Sequence, residues 1–134
     1  MNETNKLALA KEWIDKAEQD FSEAKFLFAH DRALENVALF IEQAAEKSLK
    51  GYLIAQGWKL KKTHDITTLL AEAEKYNEQF SRFSSIAPEI TEYYLDSRYP
   101  GESQGEYTRE EIERSLTQVE ELLHFVKQIL SLLQ

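Results

Sequence analysis

Apolar residues along this chain recur at intervals of three and four, and no segment alternates residue by residue as a half-buried strand would. Leu7, Ala10, Ile14, Ala17, Phe21, Ala24 and Phe28 make one face of a first long helix. Leu34, Val37, Ile41, Ala44, Ser48, Tyr52 and Ala55 make the inner face of a second. Asp31 is expected as its N-cap, and Gly57 as the left-handed residue that ends it. A last long helix carries Ile112, Leu116, Val119, Leu123, Val126, Leu130 and Leu133. Its start is marked by Thr108 with Glu111 three residues on, a capping box.

Two shorter elements lie between. Ile66, Leu69, Leu70 and Ala73 fit a helix beginning near Thr63, with Thr63 as N-cap and His64 and Asp65 in its first turn. Phe83, Ile86, Ile90 and Tyr94 fit another, in which Pro88 occupies the first turn or kinks the helix. Residues 98–107, RYPGESQGEY, hold two of the four glycines and one of the two prolines, so they read as a loop. The pattern predicts an all-α fold: an antiparallel up-and-down helical bundle of four to five helices, one domain over residues 1–134.

Composition narrows the chemistry. There is no cysteine, which excludes disulfides and thiolate sites. The start of the chain has no basic segment leading into an apolar one, and no apolar run approaches the ~20 residues of a membrane span. A cytoplasmic protein without membrane contact is the expectation. The net charge of −8 disfavours a long polyanion as partner. Its distribution is uneven. Lys47, Lys50, Lys59, Lys61 and Lys62 fall between residues 47 and 64 without one acidic residue, leaving 11 basic residues against 24 acidic ones elsewhere. A basic segment in an acidic chain suits a small anionic ligand, although lysines at a helix end also simply meet the dipole.

No metal site is expected, because neither His–x–x–x–His nor Glu–x–x–His spacing occurs. No glycine-rich phosphate loop is present either. Glu46 and Lys50 are four apart in the order that favours a surface helix pair. Gln43, Lys47 and Lys50 read as lying off the apolar stripe, the lysines as solvated. His64 reads either as a helix-start residue that packs on a neighbouring loop or as a donor to an anion held at a helix N-terminus. Arg98 stands before a proline-restricted loop, where it would pair with Asp96 or Glu102, or offer its planar fork to a phosphate. Tyr99 would stack on a base or cover the end of the bundle.

Four segments, in order, resemble the HEPN domain family, whose name stands for higher eukaryotes and prokaryotes nucleotide-binding. Trp13, Ala17 and Asp20 match its opening. Gln43, Ala44, Glu46, Lys47, Leu49 and Lys50 match its Gln–Ala–x–Glu–Lys–x–Leu–Lys signature. Thr63, His64 and Asp65 match its Thr–His–Asp/Asn element, and Arg98, Tyr99 and Pro100 its Arg–Tyr–Pro. The resemblance is to the small stand-alone bacterial and archaeal form and spans roughly residues 9 to 130.

That resemblance implies a helical bundle that dimerises with itself and pairs with a separate minimal nucleotidyltransferase, in arrangements that include toxin–antitoxin pairs. Many family members are metal-independent ribonucleases, with an arginine and a histidine separated by four to six residues. Here the places following Arg98 hold Ser103, Gln104 and Gly105, and no other arginine has the histidine. The expected function is therefore a non-catalytic module for a nucleotide or phosphate-bearing ligand, using Lys47, Lys50, Lys61, Lys62, His64, Arg98 and Tyr99 and needing no cofactor. The alternatives are a divergent ribonuclease acting on RNA through Arg98 and His64, and a purely structural oligomerisation module. Apolar residues off the stripes (Trp13, Phe26, Leu39, Phe40, Leu53, Trp58 and Tyr93) point to a homodimer, because exposed apolar patches mark interfaces.

Overall fold

The first apolar run winds into helix α1, Glu3–Ala29, capped at its start by the Asn2 side chain, which accepts from the Asn5 N–H. In the computed structural model, which describes residues 2–98 and 107–132, four further α-helices follow: α2 Leu34–Ala55, α3 Ile66–Glu74, α4 Ala87–Arg98 and α5 Arg109–Ile129. A short 3-10 helix, Glu78–Phe83, links α3 to α4. No strand occurs among the described residues, and the expected all-α bundle is what the chain forms.

The turn between α1 and α2 differs from the sequence expectation. Asp31 is not the N-cap of α2; that place falls to Ala33, which makes no side-chain cap. Asp31 instead adopts φ 53° just past the end of α1. Its N–H reaches Phe28 O at 3.3 Å and the Arg32 N–H reaches Leu27 O at 2.9 Å, the paired bonds of a Schellman ending. Asp tolerates the left-handed region better than most residues, so one short polar residue serves the end of one helix rather than the start of the next. α2 closes in the same way and as expected: Gly57 takes φ 94°, and the N–H groups of Gly57 and Trp58 return to Ile54 O and Leu53 O.

The two flanking shorter helices are shifted from their expected starts. α3 begins at Ile66, with Asp65 as N-cap accepting from the Thr68 N–H at 3.3 Å. Thr63 accepts from the Asp65 N–H instead, and His64 stands before the helix rather than in its first turn. Pro88 sits in the first turn of α4, where its missing N–H costs nothing. The capping box of α5 forms as read, with Thr108 Oγ1 accepting from Glu111 N and Glu111 Oε2 from Thr108 N.

The tertiary layout turns on α2, which packs against all four other α-helices, while α1 also meets α5. Its expected stripe is only part of what it buries. Val37, Ala38, Ile41, Ala44, Ala45, Leu49 and Leu53 are all within 1% of fully buried, and so are Glu42 and Ser48. Small residues let its neighbours come close. A Cβ on Gly51 would stand 2.8 Å from Ile14 Cδ1 and 3.2 Å from the Ala10 carbonyl of α1. The rest of the core gathers Phe80, Ile90, Ile112, Leu122 and Phe125 from the later elements.

Much of the apolar surplus that suggested an interface is absorbed by this arrangement. Leu53 and Tyr93 are core residues, Phe40 and Trp58 pack against the core, and Trp13 and Leu39 are half-buried. Of that set Phe26 alone is exposed, at 55%. No helix among the described residues is long and apolar enough to cross a membrane.

Candidate functional site

Glu42, Glu46 and Lys50 occupy successive turns of α2, so an i, i+4 row of three charged residues runs along one side of the central helix. The row is buried. Glu42 exposes 0% of its surface, and Glu46 and Lys50 4% each. The Lys50 ammonium meets Glu46 Oε2 at 2.8 Å and lies 5.9 Å from the centre of the Trp13 ring of α1. Lysine stems bury readily along apolar surface, but here the charged head is buried as well. Lys50 is thus no solvated helix lysine.

The second oxygen of Glu46 receives a residue from another element. His64 Nδ1 stands 2.8 Å from Glu46 Oε1, and the His64 ring stacks on Tyr94 of α4 with centroids 3.9 Å apart and planes 15° from parallel. Two features of the local chain bring it there. Asp65 takes over the cap of α3, which leaves His64 in the extended connector ahead of it. Thr91, on α4, accepts from the Ile66 N–H at 3.0 Å while donating to Ala87 O, so the start of α3 is tied to the helix that carries Tyr94.

Two buried acids this close cannot both be charged cheaply. Burial, the hydrogen bond with Glu46 and the repulsion from its charge push Glu42 from the ordinary 4.5 up to about 9. Burial opposes ionisation of Glu46 too, but hydrogen bonds from Glu42, Lys50 and His64 outweigh it and hold its carboxyl below the usual value. Glu42 Oε1 accepts from Gln43 Nε2 at 2.6 Å, while its Oε2 accepts from no donor. An acid protonated at Oε2 and donating to Glu46 accounts for both observations. Glu46 is then the ionised member, and His64 gives it the Nδ1 proton, which leaves Nε2 as the ring atom with no bond among the described residues.

The residues named from sequence divide into two groups. Lys47 is spent on structure, with Nζ 2.6 Å from Asp20 Oδ2 and both side chains mostly buried between α2 and α1. Lys61 and Lys62, with Lys59, are exposed in the connector just before His64 and form no ion pair among the described residues. Arg98 is the last residue of α4, one helical turn beyond Tyr94, but its side chain lies outside the described residues. So does Tyr99 entirely, and the expected pairing of Arg98 with Asp96 or Glu102 falls there too. Asp96 is instead hydrogen-bonded by the Tyr107 hydroxyl.

Glu42 as a buried acid, Glu46 as the anchor of His64, and Tyr94 as its stacking partner were not legible as site residues. One signal for the acids was present. Ala38, Ala44, Ala45, Ser48 and Gly51 are small residues on several sides of α2, which is what a helix enclosed all round needs. Tyr94 had no such signal, since it was read as one more stripe residue.

Comparison with known proteins places this arrangement in a family. The family model described as the HEPN domain matches residues 10–129. The crystal structure of TT1696 from Thermus thermophilus is similar with a TM-score of 0.78 at 27% identity, covering 89% of this chain and 96% of that one. ST0689, an archaeal HEPN homologue, is similar with a TM-score of 0.71 at 26% identity, covering 90% of this chain and 97% of its own. No curated protein matches the chain.

Proposed function

The chain belongs to the HEPN domain family, and from that premise we propose a non-catalytic module that binds a nucleotide or other phosphate-bearing ligand and pairs with a minimal nucleotidyltransferase, as in a toxin–antitoxin system. The observation that carries the reading is the fixing of His64. Its ring is held on one side by Glu46 and on its face by Tyr94, and Lys61 and Lys62, without an ion pair among the described residues, stand immediately before it. A ring held so, with Nε2 to spare, is a preorganised donor or acceptor, and the lysines add positive potential for phosphate. Arg98, one turn beyond Tyr94, is the residue suited to a bidentate phosphate contact. Lys50 supports the site from behind through its ion pair with Glu46, and Lys47 ties α2 to α1 through Asp20, so neither touches the ligand. The module acts as a homodimer, whose interface includes Phe26.

Calorimetric titration with ATP tests this. Binding should be measurable, should weaken as salt rises because exposed charges are screened, and should fall about 10- to 100-fold in His64→Ala and in Arg98→Ala, the worth of one charge-assisted hydrogen bond. The absence of heat at millimolar ATP overturns the reading. One observation favours a second reading. Glu46 with His64 is a carboxylate–imidazole pair of the kind that orients a general base, so a divergent ribonuclease would use His64 for proton transfer and Arg98 for the phosphate. Metal-free cleavage of RNA by the protein, lost in His64→Ala, distinguishes it from the binding module.

A further inference from the structure

A carboxylate oxygen of Glu42, one of Glu46 and a ring nitrogen of His64 all lie within 4.8 Å of one another. Acidic clusters are common and usually mean nothing more than solvated charge. Two facts set this one apart. It is enclosed, with both acids at 4% exposure or less. Within it Glu42 Oε2, on a side chain that is 0% exposed, accepts from no donor. Buried polar atoms in folded proteins nearly always have a partner, and this one gains it only through a proton shared with Glu46 or through a cation in that proton's place.

Charge leads to the same place. Glu42, Glu46 and Lys50 bring two carboxylates and one ammonium into the interior. Lys50 already takes Glu46 Oε2, and it leaves Glu46 Oε1 and the Glu42 oxygens facing His64. The set is left with one net negative charge, which a proton neutralises and which a divalent ion in the proton's place turns into one net positive charge.

We propose that Glu42, Glu46 and His64 form a divalent-cation site that selects Zn²⁺ or Mn²⁺. The donor set is one imidazole and two carboxylates: the imidazole suits Zn²⁺ and the carboxylates suit Mn²⁺, whereas Mg²⁺ and Ca²⁺ sites are built from oxygen alone. Donors held about 2.1 Å from a Zn²⁺ ion stand roughly 3–4 Å apart, so the set closes with a small movement. His64 supplies it, being the one ligand whose side chain is 41% exposed and set in a connector rather than a helix. Ion binding releases the proton that Glu42 carries, since carboxylate ligands bind deprotonated, while the His64 Nδ1 proton moves to Nε2 as Nδ1 turns to the metal. The sequence hides such a site because its ligands come from two elements, 18 residues apart.

The test uses the full chain stripped with EDTA and titrated with ZnCl₂ and MnCl₂ by calorimetry, with no nucleotide present, so it stands apart from the ATP experiment. CoCl₂ serves as the optical probe. One ion per chain is expected, with proton release that makes the heat depend on the buffer's ionisation enthalpy, and with a Co²⁺ absorption band in the visible. Glu42→Gln is the decisive variant, because glutamine copies the shape of the protonated acid and leaves the metal-free fold intact. It should weaken binding by more than about 100-fold, the upper range for losing even an outer partner of a ligand, and His64→Ala should abolish the Co²⁺ band. Absence of stoichiometric binding at tens of micromolar metal overturns the proposal. Binding that survives unchanged in Glu42→Gln also overturns it, by sending the ion elsewhere, such as to His30 or His124. Should Glu42→Gln not fold, the His64→Ala spectrum decides alone.

Discussion

Lys50 and Lys62 carry the same ammonium twelve residues apart, one inside the bundle and one in water. Lys50 is committed. It is 4% exposed, bound to Glu46, and part of a row whose other acids depend on its charge. Lys62 is exposed in the connector and has no ion pair among the described residues. The contrast separates charge that holds the protein together from charge that is free to meet a ligand. Burial decides which is which, because an interior charge without a partner is expensive whereas a surface charge is already satisfied by water.

Glu46→Ala should break this contrast with the largest effect. It strands the Lys50 ammonium in the interior and releases His64, so unfolding in urea should show a loss of about 3–5 kcal/mol. Pairing Glu46→Leu with Lys50→Met should recover most of that loss, since apolar residues of similar volume commonly replace a buried ion pair without penalty. Failure of the double variant to recover would mean that Glu42 and His64 carry more of the cost than the ion pair does.

The pH dependence sharpens the same contrast. Glu42 has its folded pKa raised from 4.5 to about 9, so its contribution to stability is fully present below pH 4.5 and is lost as pH rises through 9. Glu46, held below 4.5, contributes stability that is present above 4.5 and is lost as pH falls further. Stability from this pair should therefore peak in mildly acid solution and decline toward pH 9, with a slope of at most about 1.4 kcal/mol per pH unit. Glu42→Gln, which cannot ionise, should flatten the alkaline decline in thermal or urea unfolding across roughly pH 5–9. An unchanged slope would place the titrating proton elsewhere.

The smallest effect belongs to the exposed side. Lys61→Ala and Lys62→Ala together should change stability by no more than about 0.5 kcal/mol, as surface substitutions away from packed features do. The same pair should lower ATP affinity and reduce its salt dependence. A large loss of stability would show that the connector lysines are structural after all.

The local grammar of the chain was legible in advance where only one residue could serve a helix end. The capping box at Thr108 and the left-handed Gly57 both formed as read, because each is closed by residues within a few positions. Asp31 shows where that reading stops. A short polar residue between two helices suits the end of the first as well as the start of the second, and the choice went to the Schellman bonds from Asp31 and Arg32. Thr63 and Asp65 posed the same ambiguity at α3, settled there by Asp65 accepting from Thr68 and by the Thr91 hydroxyl reaching across from α4.

By itself, then, the sequence determined that this protein is helical, about where its long helices run and how two of their ends close, at Gly57 and Thr108, since intervals of three and four and local caps are properties of the chain alone. It also carried the family signature and the cluster of lysines before His64. Only the tertiary structure decided that α2 is enclosed on every side, that Glu46 and Lys50 form an interior ion pair rather than a surface one, and that His64 meets Glu46 and Tyr94. The spacing of Glu46 and Lys50 is the same in either environment. What changes is the dielectric around them, and that is set by helices packed from distant parts of the chain.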